Sequence, residues 1–288
     1  MRTMGLKAIC LLIWTADWTL VSAQTGKESS QEKVHAIVST DGTTIAYERV
    51  GSGPPLILVD GALCYRAFGP TAGLAPLLAS RFTVYRYDRR GRGQSSDTKP
   101  YAVEREIEDL EALIKEAGGT AFVCGLSSGA VLAAEAAARG VKIQRLALFE
   151  PPFEAVDNPG RRLPPGAAAQ LVQLASSGRR SDAVEFFLTK VAGLSTEAIA
   201  SVRKAPVWPA MEAVAHTLAY DVMILGDSRI PVERLRSVRV PTLVIDGERS
   251  PESLRLAVQA VVSALPNARR HYTRMDAATA ILGFTAQP

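Results

Sequence analysis

Ala121-Phe122-Val123-Cys124-Gly125-Leu126-Ser127-Ser128-Gly129-Ala130-Val131-Leu132-Ala133-Ala134-Glu135-Ala136-Ala137-Ala138 changes character halfway. The first residues form a short apolar run, as expected of a strand buried on both faces. The second half is a run of small residues that favours helix. Gly-x-Ser-x-Gly, centred on Ser127, joins them. A strand that turns at once into a helix needs a sharp, strained turn, and glycines allow that backbone and the close approach of its neighbours. The spacing predicts that Ser127 stands at the tip with its hydroxyl lifted clear of the sheet. The helix N-terminus behind it offers amide groups to a developing oxyanion, Ser128 N–H first among them.

Outward from this turn, apolar strands alternate with helical stretches. Residues 34–39 and 44–50 read as strands joined by the Asp41-Gly42 turn, a hairpin signal. Residues 55–59 and 82–87 read as strands, 72–79 as a short helix, and 103–117 as an amphipathic helix with Ile107, Leu110, Leu113 and Ile114 on one face. Residues 143–149 continue the pattern as a strand. From 155 to about 236 no strand is evident, and helical stretches alternate with Pro/Gly turns. Strand character returns at 240–247, followed by a helix over 252–264 and a strand over 268–273. Alternating β and α units predict an α/β fold, a mostly parallel sheet with helices on both faces and a helical insertion.

Three stretches carry a resemblance to the α/β-hydrolase fold family over roughly residues 35–274. Leu58-Val59-Asp60-Gly61-Ala62 resembles the strand-end His-Gly loop that forms half of the oxyanion hole, with Asp60 in place of the histidine. Asp88-Arg89-Arg90-Gly91-Arg92-Gly93-Gln94-Ser95 resembles the D-x-R-G-x-G-x-S turn, to which a structural role is assigned. The third stretch is the Ser127 turn. The resemblance implies a serine hydrolase, of esterase or lipase type, with Ser127 as nucleophile and the Ala62 and Ser128 amides as oxyanion donors. It also implies a division into a first core part, residues 24–151, a helical lid, residues 152–235, and a second core part, residues 236–288.

The same family orders its triad Ser, acid, His. The usual acid position falls on Ser250, so the carboxylate is sought at Glu150 first, then Asp246, then Glu248. The histidine is expected in a loop after the last strand, ahead of a closing helix. His271 falls inside that strand, and the residues from 275 onward supply neither the histidine nor a full helix. His216 belongs to the insertion and His35 to the first strand. A serine hydroxyl without a base is a poor nucleophile. The expected function is hydrolysis of a small apolar ester or lactone, impaired by the missing histidine. The alternative is a catalytically silent member that binds a small ligand, with a haloperoxidase-like activity as a further option. Trp208, Met211 and His216 are the expected substrate-contacting residues of the insertion, with Val214, Met223 and Leu225 beside them.

The bulk numbers fit this reading. The chain has 288 residues, 47% of them hydrophobic and 22% charged, with a net charge of +4. That charge is small and evenly spread, which argues against a nucleic-acid partner. No clustered His/Cys set or phosphate-cradling glycine loop is visible, so neither metal nor cofactor is expected. Residues 1–23, with Arg2 and Lys7 before an apolar run and Val21-Ser22-Ala23 at its end, resemble a secretory leader too short to span a bilayer. A secreted or periplasmic protein with no stable membrane anchor is expected. Cys64 and Cys124 are expected as buried free thiols.

Overall fold

The computed structural model describes residues 33–154, 163–273 and 277–285. The leader-like segment 1–23, and Met275 and Asp276 after the last strand, lie outside the described residues. Eight strands form one sheet: β1 (His35–Val38), β2 (Thr44–Val50), β3 (Pro55–Val59), β4 (Thr83–Tyr87), β5 (Ala121–Leu126), β6 (Ile143–Phe149), β7 (Thr242–Gly247) and β8 (Ala268–Thr273). Their order is β1-β2-β4-β3-β5-β6-β7-β8. β1 pairs antiparallel with β2, and β2 antiparallel with β4. All later pairings are parallel. β3, β5 and β7 are buried along almost their whole length, which is why they read as continuous apolar runs rather than alternating ones.

Helices cover both faces. α1 (Thr71–Leu78) lies on one face, α2 (Val103–Glu116) and α3 (Ser128–Ala138) on the other. Leu110 and Leu113 of α2 pack with Val131 of α3 over Ile57 and Val123 of the sheet. The insertion between β6 and β7 holds α4 (Ala167–Ser176), α5 (Arg180–Phe186), α6 (Thr196–Arg203), α7 (Trp208–Ala213), α8 (Leu218–Leu225) and α9 (Val232–Ser237). A π-helical turn, Phe187–Val191, continues α5. The insertion builds a core of its own around Leu171, Val184, Trp208, Met211 and Leu218. α10 (Glu252–Ala264) follows β7.

The chain then closes with α11 (Ala277–Thr285), although the sequence reading expected no full helix there. Its apolar residues recur at helical spacing. Ala277, Ala280, Ile281 and Phe284 are buried against α1 and the Leu243–Ile245 side of the sheet. Burying Ile281 and Phe284 is worth roughly 1.5–3 kcal/mol each, enough to hold a helix that would not persist alone.

Candidate active site

β5 ends where its backbone reverses at Ser127, with φ 52° and ψ −123°. Non-glycine residues rarely adopt that conformation, and it costs on the order of 1–3 kcal/mol. The surrounding glycines explain how the turn closes. A Cβ on Gly125 would lie 2.3 Å from the Gly129 carbonyl oxygen, and one on Gly129 would lie 2.3 Å from that of Val59. Only hydrogens at these positions let α3 press back on β5 and β3. The Ser127 amide donates to the Phe149 carbonyl at 2.9 Å, tying the tip to the end of β6. Ser127 is therefore half-exposed at the carboxyl edge of the sheet, the usual ligand side of parallel strands.

The loop after β3 lies against this serine. A Cβ on Gly61 would stand 3.0 Å from Ser127 Cβ and 3.7 Å from its Oγ. Ala62 follows and lines the same cavity as Ser127, Ser128 and Glu150. Ser128 N–H is the first amide of α3 and has no acceptor within the helix. The cavity measures about 90 Å³ and is mostly apolar, with Leu126, Phe149, Phe187, Leu188 and Leu225 on its walls. That is room for several water molecules or a short acyl group.

Glu150 stands at the end of β6, beside the tip, with φ 46°. Its amide donates to the Ile245 carbonyl at 2.9 Å, and its carboxylate accepts from the Ser250 hydroxyl. Ser250 Oγ in turn accepts from the Gly247 amide at 2.7 Å. The residue at the usual acid position thus supports the carboxylate that stands at the strand next to it.

Four of the expected site residues converge: Ser127, Ser128, Ala62 and Glu150 line one cavity. The others do not join them. Asp246 is fully buried on β7, and Arg270 of β8 grips it through Nε at 2.9 Å and Nη2 at 2.5 Å. A carboxylate held by a neighbouring strand is part of the sheet rather than of the cavity wall. Glu248 is exposed. Trp208 and Met211 point into the core of the insertion, where large apolar side chains find more surface to bury than the small cavity offers. Trp208 Nε1 donates to Ser181 and Glu212 within that insertion. Val214 shares the same core, Met223 is exposed, and Leu225 reaches the cavity.

The chain has three histidines, and none lines the cavity. His35 stacks on Tyr47 at the far edge of the sheet. His271 is in β8, paired in register with Ile245. His216 lies near Gly91, Asp97 and Lys99; burial lowers its pKa, and its Nδ1 has no partner among the described residues. Cys64 and Cys124 are free and buried, and Cys64 reaches the cavity wall. Burial pushes the Cys124 thiol up to about 12, and burial with the nearby Asp60 charge raises Cys64 as well, so neither is a thiolate at neutral pH.

Sequence reasoning missed Asp221. It sits in α8 inside an apolar stretch, fully buried, and meets Arg89, Arg92 and Ser128 beneath the cavity. Burial alone would raise its pKa, but the Arg92 and Arg89 charges and the Ser128 hydroxyl hold it below the usual carboxylate value. A lone carboxylate in an apolar helix was the available signal, because buried charges are paired. The arginines of the turn at 88–95 were legible as structural residues, but not as its partners.

Comparison with known proteins bears on the family and the fold. Residues 51–281 match the alpha/beta hydrolase family. A crystal structure of an alpha/beta hydrolase from Sphaerobacter thermophilus DSM 20745 is 50% identical, covers 88% of this chain and 100% of its own, and superposes with a TM-score of 0.82. The enol-lactonase from Burkholderia xenovorans LB400 is 21% identical, covers 88% of this chain and 100% of its own, and superposes with a TM-score of 0.67; it shares the fold. Among curated relatives, the probable oxidoreductase EphD of Mycobacterium tuberculosis is 37% identical over 93 residues, 31% of this chain and 15% of that protein. The uncharacterized hydrolase YraK of Bacillus subtilis is 37% identical over 99 residues, 32% of this chain and 34% of its own. The matched stretch is thus a small part of EphD and about a third of YraK.

Proposed function

The chain belongs to the alpha/beta hydrolase family, and from that premise we propose that it is a serine hydrolase for a small apolar ester or lactone, with low intrinsic turnover. Ser127 is the nucleophile in this reading. The Ala62 and Ser128 amides receive the oxyanion, Glu150 is the carboxylate of the site, and the helical insertion acts as its lid. The observation that carries it is the shared cavity: Ser127 on a strained strand–helix tip lines one largely apolar cavity with Ala62, Ser128 and Glu150. The cavity's size supports a small acyl group. The enol-lactonase that shares the fold is in keeping with ester or lactone chemistry.

Low turnover follows from the histidine positions. Without a base, the serine proton must pass to water, and only the oxyanion hole and binding remain. In well-studied proteases those leave about 10³–10⁴-fold acceleration over water. The same observation favours a second reading, a silent member that binds a small ligand in this cavity. A fluorophosphonate probe separates the two. Slow but complete phosphonylation of the native chain, absent in Ser127→Ala, is expected for the hydrolase. A native chain as inert as Ser127→Ala would leave only the binding reading.

A further inference from the structure

We propose that Asp221, acting through Arg92, is a positioning residue that orients and polarises the oxyanion hole of the Ser127 site; the proposal rests on the reading of Ala62 and Ser128 as the oxyanion donors.

The geometry begins with one peptide plane. The Gly61 carbonyl and the Ala62 N–H belong to the same planar group and point in opposite directions. Whatever holds the carbonyl therefore aims the amide. Arg92 holds it: its Nη1 donates to the Gly61 oxygen at 2.6 Å and to the Cys64 oxygen at 3.2 Å, on either side of Ala62. A guanidinium donating to a carbonyl also draws electron density from its peptide. Linked hydrogen bonds polarise one another, so the N–H at the other end becomes a stronger donor.

Asp221 fixes the guanidinium. Arg92 Nη2 donates to Oδ1 at 2.9 Å and to Oδ2 at 2.8 Å. The same Oδ1 accepts from Ser128 Oγ at 2.7 Å, so one carboxylate holds the residue that carries the second donor. Arg89 completes the arrangement. It donates through Nη1 to Asp221 Oδ1 at 2.9 Å and to the Asp60 carbonyl at 3.2 Å, and it pairs with both oxygens of Glu106. The peptide groups before and after Gly61 are thus both held by arginines that share Asp221.

Asp221 belongs to α8, within the insertion, whereas the donors belong to the sheet's loops. The way the insertion seats on the sheet consequently sets the oxyanion geometry. α8 is well seated for this. Tyr220, its neighbour, stacks on Tyr101 with ring centroids 3.8 Å apart and donates to Asp97 at 2.9 Å.

A purely structural ion pair provides the contrast. Arg90, in the same turn and equally buried, pairs with Asp109 and Asp41 and touches no carbonyl of residues 60–64. The test compares Asp221→Asn, Arg92→Lys and Arg90→Lys with the native chain. Two quantities are read: the rate of Ser127 phosphonylation by a fluorophosphonate, and the amide proton shift of Ala62 in a ¹⁵N-labelled sample. Asp221→Asn and Arg92→Lys are expected to slow phosphonylation about 10- to 100-fold, less than the ~10²–10³-fold of a deleted donor. Both should move the Ala62 proton upfield. Lysine keeps the charge but cannot span the carbonyls and the carboxylate with one planar fork. Arg90→Lys is expected to lower the unfolding midpoint while leaving both readings unchanged. Equal slowing in Arg92→Lys and Arg90→Lys would overturn the proposal, as would native values in a folded Asp221→Asn. Should Asp221→Asn fail to fold, Arg92→Lys carries the same decision. If the native chain is not phosphonylated at all, the proposed function fails, and the Ala62 shift alone decides whether Arg92 polarises the peptide.

Discussion

Ser127 and Glu150 end neighbouring parallel strands, and both hold a positive φ, 52° and 46°. The Ser127 amide on the Phe149 carbonyl at 2.9 Å joins the two strand ends directly. Two non-glycine residues in this sparsely populated region, side by side, persist only because the packing around them over-determines the backbone. The strain turns both side chains toward one cavity. On the other side of β6, Asp246 sits in relaxed strand geometry and turns to Arg270.

This contrast separates the two carboxylates by experiment. Glu150→Gln should slow phosphonylation of Ser127 with little change in the urea midpoint, because Gln keeps the shape and accepts from Ser250. Asp246→Asn should leave labelling intact and lower stability by about 1–3 kcal/mol, the cost of weakening a charged hydrogen-bonded pair. The opposite pattern would move the site's acid to Asp246.

Imidazole in the buffer should accelerate both phosphonylation and hydrolysis of short acyl esters, in proportion to its free-base concentration. It supplies the proton acceptor that His35, His216 and His271 do not bring to the cavity. Ser127→Ala should show no such response. A native rate that is already high and indifferent to imidazole would mean that a base in the protein reaches the serine.

Asp60 makes stability depend on pH in an unusual direction. Burial pushes its carboxyl up to about 6, against the Thr71 hydrogen bond and the Arg92 charge, from an ordinary 3.8. Between these two values the folded protein keeps the proton and the unfolded chain has lost it. Raising the pH through that window therefore weakens the fold, by up to about 3 kcal/mol for a two-unit shift. Asp221, held below its ordinary value, acts in the opposite sense at lower pH. The measurement is accordingly a difference. The unfolding free energy of native protein minus that of Asp60→Asn should fall from about pH 4 to about pH 6 and level off above. A constant difference would show that Asp60 ionises as it does in water.

Amide exchange should divide the insertion in two. α8 is held by Asp221, the Tyr101–Tyr220 stack and the Lys99 ammonium 4.5 Å above the Tyr220 ring, so its amides should be protected like those of β5. α6 and α7, which pack mainly within the insertion, should exchange sooner. Uniform protection across the insertion, or early exchange in α8, would contradict the anchoring.

The sequence by itself determined the elements and the tip. Glycines at 125 and 129, the apolar runs of β3, β5 and β7, and the helical spacing of α2 and α10 are local patterns, and local backbone physics follows from them. The scarcity of histidine was equally plain from composition. The closing helix α11 is also written locally, in the spacing of Ala277, Ala280, Ile281 and Phe284. Only the tertiary structure decided which side chains meet. It gave Asp246 to Arg270 and Glu150 to the cavity, turned Trp208 and Met211 into the insertion's own core, and brought Asp221 to Arg92 across 129 positions of chain. The physical reason is that strand order, register and the seating of the insertion set these contacts. They are settled by the burial of whole faces against one another, which no single stretch of sequence encodes.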